Sequence, residues 1–239
     1  NVAPPVIQKI EREPARIRNY TYESVRHALN NEPDMYRGNE EQIRDRWAII
    51  ARVGLNAYSQ AHRQITIPES EVNEICRIAS ENSGVEAALL KAFFRKESSF
   101  DPRQGSSKLA MGAMQLKPNA IAELHRKGKY KLANPFDPVD NMSAGAELFK
   151  LYEERARTIV VEKIVKGRKE YHSKNRTYTL EGQQLTFDQL PKDTRIAIVA
   201  TLYNRGPEVL KTTTDVGKLT RYEYCRDIVT LYNQFRREE

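Results

Sequence analysis

Glu97 is the residue whose type and position most suggest chemistry, because it ends an apolar helical pattern. Apolar residues before it recur at three- and four-residue spacing, as on the buried side of one helix: Val85, Ala88, Leu89, Ala92 and Phe93. Ser83 and Glu86 stand at capping-box spacing and predict that this helix begins near residue 84. Pro102 cannot continue a helix, so Glu97 is predicted to fall in or near the last turn.

That position would suit a general acid. The carbonyl end of the helix dipole disfavours a negative charge by up to about 1 kcal/mol. Phe93 and Phe94, one turn earlier, are expected to strip water from the Glu97 carboxylate. Both effects favour the protonated form and would raise the pKa of the carboxyl toward neutral pH. The alternative is a solvated carboxylate paired with Arg95 or Lys96.

Four short motifs follow one another in the order typical of one enzyme family. Their matching residues are Glu97 and Ser98 in KESSFDP; Gly112, Met114, Gln115 and Leu116 in AMGAMQLKPNA; Asp137, Pro138, Asn141 and Gly145 in DPVDNMSAGAELF; and Tyr203, Asn204, Gly206 and Pro207 in LYNRGPEVL. With these motifs the chain resembles the lytic transglycosylases of the soluble type, whose catalytic domain has a goose-lysozyme-like fold. The resemblance predicts a mainly α fold, of the α+β lysozyme-like kind, with a small β element.

The resemblance implies a single catalytic carboxyl group. Glu97 would act as acid and then as base in non-hydrolytic cleavage of the β-1,4 bond between N-acetylmuramic acid and N-acetylglucosamine, leaving 1,6-anhydromuramic ends on peptidoglycan. The residues implied in binding or positioning the substrate are Ser98, Met114, Gln115, Tyr203 and Asn204. No cofactor and no metal is expected, since the four histidines form no ligand cluster in the sequence.

Each positioning role has a structural alternative. Ser98 either orients a sugar or only satisfies a carbonyl group at the helix end, and Tyr203 either holds the catalytic carboxylate or only packs. Met114 either lines the sugar-binding groove or belongs to the core. Gln115 either binds a sugar amide or hydroxyl, or caps the helix that starts near Pro118. The resemblance favours the active role for Tyr203 and for the groove segment, and leaves both roles open for Ser98.

Two other functions compete with a lytic transglycosylase. A hydrolytic muramidase on the same fold would need a second carboxylate to direct water. The candidates nearest to the motifs in sequence are Asp101, Asp137 and Glu208, and none has a spacing that argues for it. A non-catalytic peptidoglycan-binding or envelope-assembly module is the other alternative, and the presence of Glu97 speaks against it.

Composition fits a mostly helical protein with an anionic partner. The 239 residues are 39% hydrophobic and 30% charged, and the formal net charge is +7. Peptidoglycan, with its stem-peptide carboxylates, satisfies this balance as well as nucleic acid does. The basic residues are scattered, however, and a scattered excess is more typical of general solubility than of a binding stripe. They also do not interleave with aromatic residues as in a nucleic-acid-binding module, so no nucleic-acid partner is expected.

The family motifs leave both an N-terminal extension and an insertion unexplained. Residues 1–68 are predicted to form a helical extension that packs on the catalytic domain, residues 69–239. Its clearest helix spans about 40–61, and a shorter one is expected to begin around residues 20–25 and to end near Glu32 and Pro33. In the catalytic domain, Asp137 and Pro138 are expected to start a helix that runs to about residue 166. An insertion at about 167–191 is expected to contain a β-hairpin that turns at Glu181 and Gly182. Either segment offers a surface for an envelope protein partner, and a monomer is expected.

The expected compartment follows from the substrate. No apolar run approaches the ~20 residues of a membrane span. No signal peptide is visible and the first residue is Asn1, so a removed leader and a periplasmic or cell-envelope location are expected, with any lipid or membrane anchor invisible in this chain. Cys76 and Cys225 lie on apolar patterns, and a disulfide between them and two separate buried thiols both remain open.

Overall fold

The structure, a computed structural model, describes residues 29, 35–61, 67–165 and 168–238. In this part of the chain eight α-helices dominate: α1 (Glu40–Ala61), α2 (Glu69–Ser83), α3 (Ala87–Ser98), α4 (Pro118–Arg126), α5 (Pro138–Arg157), α6 (Lys192–Arg205), α7 (Val216–Thr220) and α8 (Glu223–Glu238). Four strands form two hairpins: β1 (Thr158–Val165) with β2 (Arg168–Asn175), and β3 (Thr177–Leu180) with β4 (Gln183–Thr186). The predicted mainly α fold with a small β content is confirmed.

The chain divides into two compact units, one ending at Glu147 and one beginning at Leu148. In the first unit α1 packs closely on its neighbours. The Trp47 side chain is fully buried. Gly54 lies against the Phe136 ring, where an added Cβ would come within 2.1 Å of a ring carbon. These contacts make α1 part of the core of the first unit. The predicted domain boundary near residue 68 stays a prediction. The short helix expected to begin around residues 20–25 lies outside the described residues except at Leu29.

α2 and α3 form the predicted helical hairpin, but the predicted start of α3 is wrong. α2 continues to Ser83 and ends at Gly84, which adopts a left-handed conformation with φ of 75°. The Ser83 hydroxyl donates to the Ala79 carbonyl at 2.7 Å and accepts from the Val85 amide at 3.2 Å. The Ser83 side chain therefore stabilises the end of α2 and does not cap α3. α3 begins at Ala87 without a side-chain cap.

In the second unit the chain leaves the helical pattern earlier than predicted. A helix from Pro138 to about residue 166 was expected, but α5 ends at Arg157 and β1 begins at Thr158. The segment from Thr158 is rich in β-branched residues, which favour strands. β1 pairs antiparallel with β2 from Thr158 opposite Asn175 onward.

The second hairpin was predicted correctly. β3 and β4 pair antiparallel, and Glu181 and Gly182 between them have φ of 50° and 82°, as a two-residue hairpin turn of type I′ requires. The Tyr178 hydroxyl donates to the Ala156 carbonyl at 2.7 Å, and desolvation raises the pKa of Tyr178. This buried bond fixes the hairpin to the end of α5.

Two further predictions concern membrane spans and cysteines. None of the helices in the described ranges is both long and apolar enough to cross a membrane. Cys76 and Cys225 are both buried thiols in the structure. The Cys225 thiol donates to the Tyr222 carbonyl at 2.9 Å.

Candidate active site

Glu97 lies in the last turn of α3, as predicted, and its side chain is half-buried. Phe93 and Phe94 are fully buried one turn earlier. The Arg95 guanidinium lies over the ring of Phe100, 5.5 Å from its centroid. A carboxyl group thus stands at the carbonyl end of a helix anchored in the core, and its raised pKa stays a prediction.

The turn directly after α3 is conformationally strained. Ser99 and Phe100 have φ of 53° and 64°, and positive φ is rare for residues with a side chain, above all for a bulky one. The Phe100 ring packs edge-on against Phe94 at 5.3 Å, which compensates for part of the strain. Such strained residues often cluster at functional sites, where surrounding structure over-determines them. Here they redirect the chain within two residues of Glu97.

Ser98 ties the end of α3 to the second motif. Its side chain is 1% exposed, and its hydroxyl lies 3.1 Å from the Phe94 carbonyl oxygen and 2.9 Å from that of Ala113. In this geometry Ser98 satisfies carbonyl groups and holds the helix end against the loop that contains Met114 and Gln115. A direct contact between Ser98 and a sugar stays a prediction.

Asp101 anchors the same turn from inside. Its side chain is fully buried, and one carboxylate oxygen accepts from the Arg103 amide at 2.9 Å. The other oxygen accepts from the hydroxyl of Tyr58, which belongs to α1, at 3.2 Å. Desolvation and the neighbouring charge of Asp101 raise the pKa of Tyr58, so this hydroxyl keeps its proton at neutral pH. Helix α1 therefore helps to position the residues that follow Glu97.

Replacing Tyr58 with phenylalanine is expected to destabilise the protein by about 1 kcal/mol, because a buried carboxylate loses one hydrogen-bond donor. Chemical denaturation measures the change. The matched control is Ser59→Ala on the same helix, which removes an exposed bond from the Ser59 hydroxyl to the Leu55 carbonyl and is expected to change stability by less than about 0.5 kcal/mol. Equal effects of the two substitutions would contradict the role of Tyr58.

The second motif forms a tight turn around Met111 and Leu116. Their backbones exchange two hydrogen bonds of 3.0 Å and so form a small β element. Gly112 has φ of 73° and donates its amide to the Gln104 carbonyl at 2.8 Å. A Cβ at Gly112 would lie 2.2 Å from the Pro135 carbonyl oxygen, so the two backbones approach each other closely at this glycine.

The substitution Gly112→Ala is expected to cost about 3 kcal/mol, since it adds a backbone collision to the strain of a positive φ. Gly128→Ala isolates the strain: Gly128 has φ of 63° but nothing within 4 Å of an added Cβ, and about 1 kcal/mol is expected. Thermal unfolding of both variants measures the difference. If the melting temperatures of both variants fall by the same amount, the close approach at Gly112 does not add to the cost of the substitution.

Asn141, from the third motif, holds the same turn with its side-chain amide. It is fully buried, and its oxygen accepts from the Met114 amide at 2.8 Å. Its nitrogen donates to the carbonyls of Met111 at 3.0 Å and Pro135 at 2.9 Å. One side chain thus satisfies three buried backbone groups in two segments of the first unit.

Met114 and Gln115 lie in this turn in different ways. The Met114 side chain is fully buried and packs on Gly145, where an added Cβ would come within 2.6 Å of it. Gln115 is half-buried with φ of 47°, and its side-chain nitrogen donates to the carbonyls of Gln104 and Gly112 at 2.9 and 3.0 Å. As placed, both residues shape the turn, and direct contacts with substrate stay predictions.

Asp137 and Pro138 start a helix, as predicted. α5 begins at Pro138, and the Asp137 carboxylate accepts from the Asp140 amide at 2.9 Å, which is a helix cap. This cap fixes the first turn of α5, where Asn141 lies.

Tyr203 and Asn204 belong to the second unit, at the end of α6. The Tyr203 ring packs edge-on against Tyr152 at 6.2 Å and is half-buried, and Asn204 is exposed. Gly206 ends the helix with φ of 84°. The fourth motif therefore forms a helix end with a polar surface.

Two positioning residues were not assigned a role by sequence reasoning. Asn141 was recognised only as a motif match, although a polar residue within the motif was a usable signal. Tyr58 lies 43 residues from Asp101, and no local pattern links them. Among the described residues, no group of three or more His, Cys, Asp or Glu residues could hold a metal ion.

A family model described as "Transglycosylase SLT domain" matches residues 74–216, which is more than half of the chain and includes all four motifs. The lysozyme-like fold inferred from these motifs is thereby confirmed.

Proposed function

Because this chain belongs to the transglycosylase SLT domain family, whose activity is lytic cleavage of peptidoglycan, we propose that it is itself a peptidoglycan lytic transglycosylase with Glu97 as its acid and base. The observation that carries this assignment is the position of Glu97. It is a half-buried carboxyl at the carbonyl end of α3, above two buried phenylalanines, and the strained turn that follows is held in place by buried hydrogen bonds.

In the proposed reaction the Glu97 carboxyl donates its proton to the oxygen that joins N-acetylmuramic acid to N-acetylglucosamine. The bond between that oxygen and the muramic anomeric carbon breaks, and the substrate's own acetamido group stabilises the positive charge. The muramic C6 hydroxyl then attacks the anomeric carbon and gives its proton to the Glu97 carboxylate, which closes the 1,6-anhydro ring. Water is not consumed, and Glu97 returns to its protonated state.

The rival hydrolytic muramidase lacks support because each candidate second carboxylate has another role. Asp101 is fully buried and holds the turn after α3. Asp137 caps α5. Glu208 is exposed and forms an ion pair with Lys211, three residues away. A base that directs water must reach that water with a carboxylate oxygen, and Asp101 is too deeply buried to do so without losing its structural contacts.

The other residues support Glu97 in this proposal. Tyr203 holds the catalytic carboxylate through its hydroxyl, and Asn204 and Gln115 bind sugar amides or hydroxyls. Ser98 and Met114 act indirectly and do not bind the sugar. Ser98 fixes the end of α3, and Met114 fixes the turn that the sugar contacts. The proposed site of action is the bacterial cell envelope, where peptidoglycan is found.

Mass spectrometry of the products tests the reaction. Purified peptidoglycan digested with the protein is expected to release muropeptides that end in 1,6-anhydromuramic acid. The mass of each is lower than that of the hydrolysed form by one water molecule. Reducing ends carrying an added water would mean a hydrolase. Binding without any product, from folded protein, would instead favour the non-catalytic wall-binding module.

A further inference from the structure

Two arginines converge on one tyrosine ring beside the fourth motif. The Arg205 guanidinium carbon lies 4.4 Å from the centroid of the Tyr222 ring, and that of Arg221 lies 5.3 Å from it. Arg205 is the last residue of α6, directly after Asn204. Tyr222 and Arg221 lie between α7 and α8. The contact therefore joins the end of α6, which carries Tyr203 and Asn204, to the segment between α7 and α8.

Within the described residues these two guanidinium groups have no carboxylate partner and no hydrogen bond. Nearby acidic residues are engaged elsewhere: Glu208 pairs with Lys211, and Asp215 accepts from the Lys218 amide at 3.0 Å as the cap of α7. Both arginines are exposed and Tyr222 is half-buried, so solvent reaches the cluster.

The two arginines concentrate exposed positive charge beside one ring. Both distances are measured to the centroid of the Tyr222 ring, so the guanidinium carbons are within about 10 Å of each other, where salt screens much of their mutual repulsion. The ring attracts each cation by about 0.5 to 1 kcal/mol at an exposed site. Guanidinium groups bind carboxylates through paired hydrogen bonds, so two of them close together suit an anionic ligand.

We infer that Arg205, Arg221 and Tyr222 form a subsite for a carboxylate of the peptidoglycan strand. Tyr222 orders the two side chains, and their free N–H groups bind the carboxylate. The inference rests on the proposed function, since it takes its ligand from the proposed substrate. That carboxylate belongs either to the lactyl group of muramic acid, where the stem peptide is absent, or to the stem peptide itself.

Steady-state kinetics on soluble glycan strands tests the subsite. Three substrates are compared: strands with stem peptides, strands stripped of peptides by an amidase, and peptide-bearing strands whose carboxyl groups are converted to methyl amides. Arg205→Gln and Arg221→Gln are each expected to raise KM about tenfold on a carboxylate-bearing substrate, with kcat changed less than about twofold. On the amidated strands the wild type is expected to lose this advantage, and the variants to match it.

The matched control is Arg236→Gln. Arg236 lies over the Tyr232 ring at 5.6 Å, so it has the same kind of cation–π contact, on α8 and away from the motif in sequence. Its KM is expected to equal that of the wild type. Equal melting temperatures for the wild type and all three variants would show that no change in KM comes from misfolding.

The outcomes separate the subsite from the proposed function. A penalty on stripped strands assigns the lactyl carboxylate, and a penalty only on peptide-bearing strands assigns the stem peptide. Anhydro products with the same KM for wild type and variants would overturn the subsite and leave the function intact. If the wild type neither cleaves nor binds the strands, both proposals fall.

Discussion

Replacing Glu97 with glutamine is expected to lower the rate of muropeptide release by about 10³-fold or more, because the amide can neither donate the proton to the glycosidic oxygen nor accept one from the C6 hydroxyl. Glutamine has nearly the same shape as glutamate, and the buried residues around the end of α3 keep their contacts. The measurement is the initial rate of release of anhydromuropeptides from purified peptidoglycan. Binding of the glycan by the variant is expected to persist.

The matched control for this experiment is Glu208→Gln. It changes an exposed carboxylate that pairs with Lys211, and Glu208 is one of the carboxylates that a hydrolase could have used. Its rate is expected to stay within about twofold of the wild type, since exposed ion pairs contribute little. A Glu97→Gln protein that keeps full activity would refute the proposed role of Glu97, and a large loss in Glu208→Gln would revive the two-carboxylate mechanism.

Replacing Asn141 with alanine is expected to lower the free energy of unfolding by about 4 kcal/mol. Three buried groups lose their partner: the Met114 amide and the carbonyls of Met111 and Pro135. Each unsatisfied buried group costs about 1 to 3 kcal/mol, and the cavity left by the side chain adds to the loss. The melting temperature is expected to fall by roughly 10 °C. Activity is expected to fall by more than unfolding alone explains, because the turn that carries Met114 and Gln115 loses its anchor.

Asn119→Ala provides the comparison for Asn141→Ala. Asn119 lies exposed in the first turn of α4, so the same chemical change there is expected to alter stability by less than about 0.5 kcal/mol. Scanning calorimetry measures both variants, and a glycan-cleavage assay at a temperature where each is fully folded separates activity from stability. A loss below about 1 kcal/mol in Asn141→Ala would show that water replaces the amide.

Local patterns predicted the helices best where the pattern was long and its ends were marked. α1 has the predicted bounds, because its apolar spacing continues over more than five turns. The β3–β4 hairpin was predicted because Glu181 and Gly182 form a turn with its own chemistry. β1 was taken for a continuation of α5, because its apolar residues also fit a helical spacing and its partner strand lies beyond the turn.

The same distinction holds within the site. The position of Glu97 in the last turn of α3 followed from the apolar spacing and from Pro102. The roles of the residues around it did not follow, because they depend on partners far along the chain. Ser98 bonds to Ala113, and Tyr58 bonds to Asp101. The capping box at Ser83 failed for a local reason, since its hydroxyl donates to the Ala79 carbonyl four residues earlier, at the end of α2.

The sequence by itself determined the family, the mainly α fold and the placement of Glu97 at a helix end, because motifs, helical spacing and helix stops depend on neighbouring residues. Only the tertiary structure decided which polar side chains are buried anchors and which remain available to a ligand. Asn141 and Asp101 are anchors because most buried polar groups are hydrogen-bonded, whereas Arg205 and Arg221 are exposed beside Tyr222. Burial depends on segments that are distant in the chain, and no local pattern contains that information.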